Sequence, residues 1–397
     1  DDLEPFVTAY DVNAEGAIRA DGAISGALSA PTLKGDASFT GLSFDEEPLG
    51  KVEIIHNASF GGAPEGDLNL SASGSRFGAV TFDGGFLLND EILALSNMTA
   101  TGLGATVDGD IDIDLSETLA TGDVSIAAPD LSQLSEAVGQ EVGGGVTGRI
   151  RLSSPGDKQA ADLDVELNDL QAAGVSLESA SVEGAATDIL GAQKFDLLVN
   201  VEGVDAGVAQ VASGQAKASG AIEDVIFDAQ LSGVGANGVT LQAVTAKGEA
   251  QDALDKPQFN ITLGVKGVDA GAAQIATGRA TAVGGLDDIK LTAELNSIRV
   301  GDATVARSDL TARVKEGLSD DPAINSTVTA RAINAAPAEL TTAKLVAAGR
   351  LSALNLTLSS QGGLETGEEI TMDMAARVSA AGPLKATVSD LSAKLDA

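Results

Sequence analysis

Apolar and polar residues alternate at period two through most of the chain. Ile111, Ile113 and Leu115 interleave with Asp110, Asp112 and Asp114. Leu163, Val165 and Leu167 form a similar run, and Phe195, Leu197, Val199 and Val201 alternate with Asp196, Leu198, Asn200 and Glu202. Phe259, Ile261, Leu263 and Val265 do the same, as do Ile289, Leu291, Ala293 and Leu295. Period two places each set on its own face of a sheet. Glycine-rich breaks such as Gly84-Gly85 and Gly362-Gly363 separate the runs, and strands at such regular spacing predict an all-β fold. At about 11 residues per strand and turn the chain would hold roughly 35 strands, forming an elongated repetitive sheet on the order of 160 Å long.

The sequence repeats. Gly203-Val204-Asp205-Ala206-Gly207 returns as Gly267-Val268-Asp269-Ala270-Gly271, an offset of 64, and 15 of 29 positions agree between 203–231 and 267–295. The offset also pairs Leu167 with Leu231, Gly174 with Gly238 and Gly184 with Gly248. Within each unit the spacing predicts one short helix. From Asp205 to Gly214, Val208, Val211 and Ala212 fall at i, i+3 and i+4, with Asp205 as N-cap and Gly214 as the left-handed C-terminal residue. Asp269 to Gly278 repeats the pattern, and Asp130 to Gly139 resembles it. Three segments are expected: 1–120, the repeat-bearing 121–300, and 301–397.

Composition narrows the function. Asp and Glu number 58 against 24 Lys and Arg, a net charge of −34. Nucleic acid needs clustered cations, so it is not an expected partner. With no cysteine and one histidine, thiol chemistry, a Cys-ligated zinc and a Ser-His-Asp triad fall away. No metal or cofactor is expected. Apolar residues make up 44% of the chain, yet Trp is 0, Tyr 1 and Phe 10. Large aromatics supply much of the buried area of compact cores. A chain that avoids them must bury area by repetition or leave apolar surface unfilled. No apolar run reaches the roughly 20 residues of a membrane span, and the opening Asp1-Asp2-Leu3-Glu4-Pro5 is unlike a signal peptide. The chain reads as a soluble piece of a longer polypeptide.

Candidate catalytic patterns resolve into structure. Gly233-Val234-Gly235-Ala236-Asn237-Gly238 matches a dinucleotide fingerprint, but a strand-like segment follows where a helix is required. Asp108, Asp110, Asp112 and Asp114 lack the glycine and glutamate of a calcium loop and read as the wet face of a strand. Asp320 and Asp321 before Pro322 read as a solvated loop, and His56 as a residue near a strand end. Asn97-Met98-Thr99 is a glycosylation sequon of the kind that wet strand faces often produce. No enzymatic activity is expected. The apolar alternation is the remaining candidate. It makes either an ordinary core or the lining of a groove in which small Ala, Val and Leu side chains leave room for an acyl chain.

Ala127-Ala128-Pro129-Asp130-Leu131-Ser132-Gln133-Leu134, then Gly143-Gly144-Gly145-Val146-Thr147-Gly148 and alternating strands, resembles the TamB family of the AsmA-like group. This is the inner-membrane-anchored subunit of the bacterial translocation and assembly module. The resemblance is clearest over 120–300. It implies a U-shaped β-groove, or β-taco, in the periplasm that carries phospholipids between inner and outer membranes and supports outer-membrane biogenesis and protein assembly. The family's N-terminal anchor and C-terminal region are not recognisable here, so engagement of an outer-membrane barrel partner would fall to other parts of the protein. The expected groove lining is Leu163, Val165, Leu167, Phe195, Leu197, Val199, Val201, Phe259, Ile261, Leu263, Val265, Ile289 and Leu291, with phospholipid acyl chains as partner. The first alternative is a β-solenoid adhesin or secreted passenger domain, whose rungs would recur at roughly 20 to 30 residues. The second is a polysaccharide hydrolase with paired carboxylates, which aromatic sugar platforms would favour.

Overall fold

The computed structural model describes residues 14–44, 47–75, 78–252, 256–317, 319–379 and 385–396. These residues form strand almost throughout, from β1 (Ala14–Ala27) to β24 (Lys385–Asp396), as the alternation predicts. The described residues make 24 strands, not roughly 35. Each is longer than expected, because the alternation continues through positions where Ala, Gly and Ser blur it. The 64-residue offset spans four strands, from β12 (Lys194–Asp205) to β16 (Gln258–Asp269).

Every described pairing is antiparallel and joins strands consecutive in the chain. This is a hairpin meander, unlike the stacked parallel rungs of a β-helix. The chain divides into two compact units, Asp1–Val201 and Glu202–Ala397. Among the described residues no pairing closes either meander into a barrel.

In the first unit, register lays apolar residues side by side from strand to strand. One such row runs Ala20, Ala37, Ile54, Leu70, Phe82, Ala100, Val107, Ile126, Gly148, Val165. In the second unit, large residues stand beside small ones. Phe259, Ile261 and Leu263 of β16 face Ala250, Gly248 and Ala246 of β15 (Val239–Gln251). On the other side they face Gly284, Ala282 and Ala280 of β17 (Ala273–Gly285). With neighbouring strands about 4.8 Å apart, a bulky side chain fits best where its cross-strand partner is small.

A skipped rung crosses the second unit. Opposed residues lose their ladder pairing at Ala212/Gly233, Gly233/Gln242, Gln242/Gly267, Gly267/Ala276, Ala276/Ser297, Ser297/Ala306 and Ala306/Ala332, while the register on either side is unchanged. Every second strand carries a left-handed residue there: Gly233 (φ 59°), Gly267 (φ 62°), Ser297 (φ 53°) and Ala332 (φ 50°). Such residues break the extended strand as a β-bulge does and re-aim the side chains that follow. Exposure records the slip, since Ala276 and Thr277, Ala306 and Arg307, and Arg331 and Ala332 are consecutive exposed pairs.

The helices predicted at Asp205 to Gly214 and Asp269 to Gly278 are absent. Those residues close one strand, turn, and open β13 (Ala209–Ala221) or β17. The two aspartates do cap, but they cap hairpins. Asp205 Oδ1 accepts from Gly207 N at 2.7 Å and Asp269 Oδ1 from Gly271 N at 2.8 Å, and Gln210 and Gln274 reach the second oxygens. An Asx turn and a helix N-cap use the same carboxylate-to-backbone bond, so the residue type cannot separate them. In the third case Asp130 does open a helical turn. It accepts from Ser132 N at 2.9 Å, 3₁₀ and α turns follow over Leu131–Leu134 and Ser135–Val138, and Gly139 is left-handed. The repeats agree in conformation, with φ of 62° at both Gly203 and Gly267 and of 127° and 129° at Gly220 and Gly284.

Candidate functional site: the uncovered apolar face

The expected lining residues gather on one face within each unit. In the first, Leu163 lies opposite Gly184, and a Cβ at Gly184 would stand 2.7 Å from Leu197 Cδ2. That places Leu163 and Leu197 on a common face. Val165 and Leu167 share it by alternation along Leu163's strand, and Phe195, Val199 and Val201 by alternation along β12. In the second, Phe259 meets Ile289 through Gly284, and Ile261 meets Leu291 through Ala282. Leu263 and Val265 continue the same face along β16. The small partners Ala246, Gly248, Ala280 and Ala282 belong to this surface too, which sequence reading missed. Their signal was available as Ala and Gly alternating at period two, with no large residue to mark it.

Nothing in the described chain covers this face. Twelve of the thirteen lining residues are half-buried, and Leu263 is 44% exposed. Among the described residues nine apolar ones are buried, five of them alanines, and no side chain is fully enclosed. The accessible surface is 23383 Å². A compact protein of 39.6 kDa would expose roughly 14,000 Å², and two separate globules of half that mass roughly 17,000 Å². The apolar residues therefore form an open layer rather than a closed core.

The opposite face is charged and cross-linked. Lys247 reaches Asp228 at 2.7 Å, Arg307 reaches Glu294 and Asp309 at 2.8 Å, and Arg331 reaches Asp309 at 3.0 Å. Nearer the strand ends Lys158 pairs with Asp188 at 2.7 Å, and Arg313 pairs with Asp288. The alternation thus separates the sheet chemically: ion pairs on one side, aliphatic side chains on the other.

The remaining candidates keep structural roles. Asp108 accepts from Thr99 Oγ1 and Asp110 from Asn97 N, binding neighbouring strands together. Asp114 caps a turn through Ser116 and Glu117. Asp321 is not merely solvated, since both its oxygens accept from Ser352 at 2.8 Å. His56 lies beside Gly35, in a strand whose neighbours Ile54 and Ala58 share its face. Asn237 and Gly238 form the turn of an antiparallel hairpin, so the glycine fingerprint is a strand connection. Among the described residues no three His, Asp or Glu side chains cluster as a metal site, and no helix is long and apolar enough to cross a membrane.

Hydrogen bonds hold several carboxyls below the usual aspartate range. Arg313 does so for Asp288, Arg307 for Asp309 and Lys158 for Asp188. A carboxyl depressed on folding adds stability that is present above its unfolded value, near 3.9, and is lost as pH falls through the lower folded value. Thermal stability is expected to drop as pH falls below about 4. Arg313→Gln should reduce that drop, and melting curves of both proteins between pH 5 and pH 2.5 measure it. An unchanged pH dependence in the variant would contradict a role for this pair.

Comparison of the chain with family models, curated proteins and solved structures finds no match.

Proposed function

We propose that the chain is a lipid-conducting module whose aliphatic sheet face carries phospholipid acyl chains while head groups stay in water. The observation that supports this is the Ala, Val, Leu, Ile and Phe layer with no covering element among the described residues. A face this large would aggregate if it met only water, so it calls for an apolar occupant. Protein interfaces draw on Trp, Tyr and Arg anchors. This lining is mostly aliphatic, with Phe195 and Phe259 its aromatic members, which suits mobile methylene chains better than a shaped partner. The net charge of −34 keeps such a surface soluble and discourages edge-to-edge association.

In keeping with its resemblance to the TamB family, the proposed setting is the periplasm, within a longer inner-membrane-anchored protein that moves phospholipids toward the outer membrane and supports barrel assembly. Its role there is structural rather than enzymatic. Transport by weak, uniform contacts needs no acid, base or nucleophile. A photo-crosslinker at Leu263 should capture phospholipid from membrane extracts, and one at Asp112, exposed on the other face, should not. Equal labelling at both positions, or none at either, removes the basis for the reading.

A further inference from the structure

The apolar rows of the second unit differ in continuity. In the row of Leu263 both neighbours are alanines, and in the row of Ile261 they are Gly248 and Ala282. Both rows are interrupted: Leu263 is the one bulky side chain of its row between Ala216 and Ala293, ahead of Leu310, and in the other row Phe227, Ile261 and Leu291 stand on every second strand. Beyond the skipped rung the pattern changes. From Val211 in β13 to Leu340 in β21 (Ala338–Arg350), nine successive strands each place a Val, Ile or Leu in one row, with Val268, Ile275, Ile298 and Ile333 among them. All of them are half-buried.

We infer that this row is the continuous acyl-chain track of the second unit, the line a phospholipid tail follows across the strands. The inference rests on the lipid-conducting reading above and locates its path. Strict alternation would put Val268, Ile275 and Ile298 on the charged face with Lys266, Thr277 and Asn296. The left-handed residues Gly267 and Ser297 and the paired exposure of Ala276 with Thr277 shift the phase by one, returning the aliphatic row to the apolar face. Nine strands at about 4.8 Å give a track of roughly 38 Å. The tails of one bilayer leaflet reach about 15 Å, so a sliding tail touches bulky aliphatic side chains along its whole length.

The row also lies close to a rim. Val268 is two residues from the turn at Ala270, so about 7 Å separates the track from water, where a head group remains hydrated. Charge favours the same stretch. Residues 209–350 hold 13 Lys and Arg against 16 Asp and Glu, a net of −3, while the other 255 residues carry −31. A phosphate is therefore repelled least where the track runs. Only Phe227 and Phe259 are aromatic in this stretch, so a protein partner would lack its usual anchors.

The test uses the whole chain carrying a photo-crosslinker at Ile298, Leu263 or Thr292, mixed with vesicles of phosphatidylethanolamine and phosphatidylglycerol. Capture should be highest at Ile298, lower at Leu263 and absent at Thr292. Capture at Leu263 that equals or exceeds that at Ile298 overturns the track and leaves the lipid-conducting reading standing. Capture at no position defeats that reading itself, and equal capture at all three defeats both. As a second measurement, the Ile275→Ser, Ile298→Ser double variant should slow lipid transfer between vesicles about tenfold, and Leu263→Ser with Leu291→Ser much less. The reverse order overturns the track. If either double variant loses its strand circular dichroism, the crosslinking order decides.

Discussion

Leu263→Asp is expected to leave the chain folded. In a closed core a buried unpaired carboxylate costs several kcal/mol, enough to unfold a unit of ordinary stability. Leu263 is 44% exposed, and its cross-strand neighbours Ala246 and Ala280 are too small to enclose it. The carboxylate reaches water, and the loss is limited to the contacts of one half-buried leucine, about 1 kcal/mol. For a unit of this size that lowers the melting temperature by roughly 2–4 °C. Lipid contact is expected to respond far more. A hydrated carboxylate on the aliphatic face forces nearby methylenes to leave it or strip its water, so phospholipid capture by a crosslinker at Leu291 should fall at least about tenfold. Circular dichroism and crosslinking on the same preparation give both answers. A variant that is unfolded at room temperature would mean that Leu263 belongs to a packed core.

Gly284→Val should produce a large stability loss. Gly284 has φ 129°, and a Cβ there would lie 2.1 Å from the Asp288 carbonyl oxygen. Backbone cannot yield as a flexible side chain can, so the turn into β18 (Asp288–Val300) must open. A residue forced into such a conformation costs about 1–3 kcal/mol before the clash is counted. The expected fall in melting temperature is roughly 5–10 °C. Gly301→Ala is the control. That glycine is also left-handed, with φ 58°, but has open space around it, so its penalty is the conformational part alone, about 1 kcal/mol. Equal losses in the two variants would show that the close approach at Gly284 carries no weight. Gly220 has the same geometry one repeat earlier, with φ 127° and a 2.0 Å approach to the Asp224 carbonyl, and should behave as Gly284 does.

Much of the sheet is legible residue by residue. Leu163, Val165 and Leu167, or Phe259, Ile261, Leu263 and Val265, declare their face through their own spacing, because alternation is a property of one strand. The helical reading of Asp205 to Gly214 failed because its signals are not specific. A capping aspartate, a terminal glycine and alanines compatible with either period describe a hairpin as well as a helix. What decided for the hairpin was pairing: Ala209, Val211 and Ser213 find partners in Ala236, Val234 and Ser232. A nine-residue helix has no such ladder to hold it, and short helices are marginal alone.

The sequence by itself determined the fold class, the repeat and which side chains alternate within each strand, since these follow from local periodicity and from recurrence along the chain. Tertiary structure decided two things. The first is that no other described element covers the aliphatic face within either unit, since whether a hydrophobic face is buried depends on what packs against it. The second is the skipped rung from Ala212 to Ala332, where left-handed residues on alternate strands shift the alternation and align Val268, Ile275 and Ile298. No single strand contains that row. It exists only when register brings the nine strands side by side, because a track across a sheet is built from hydrogen-bonded neighbours and not from consecutive residues.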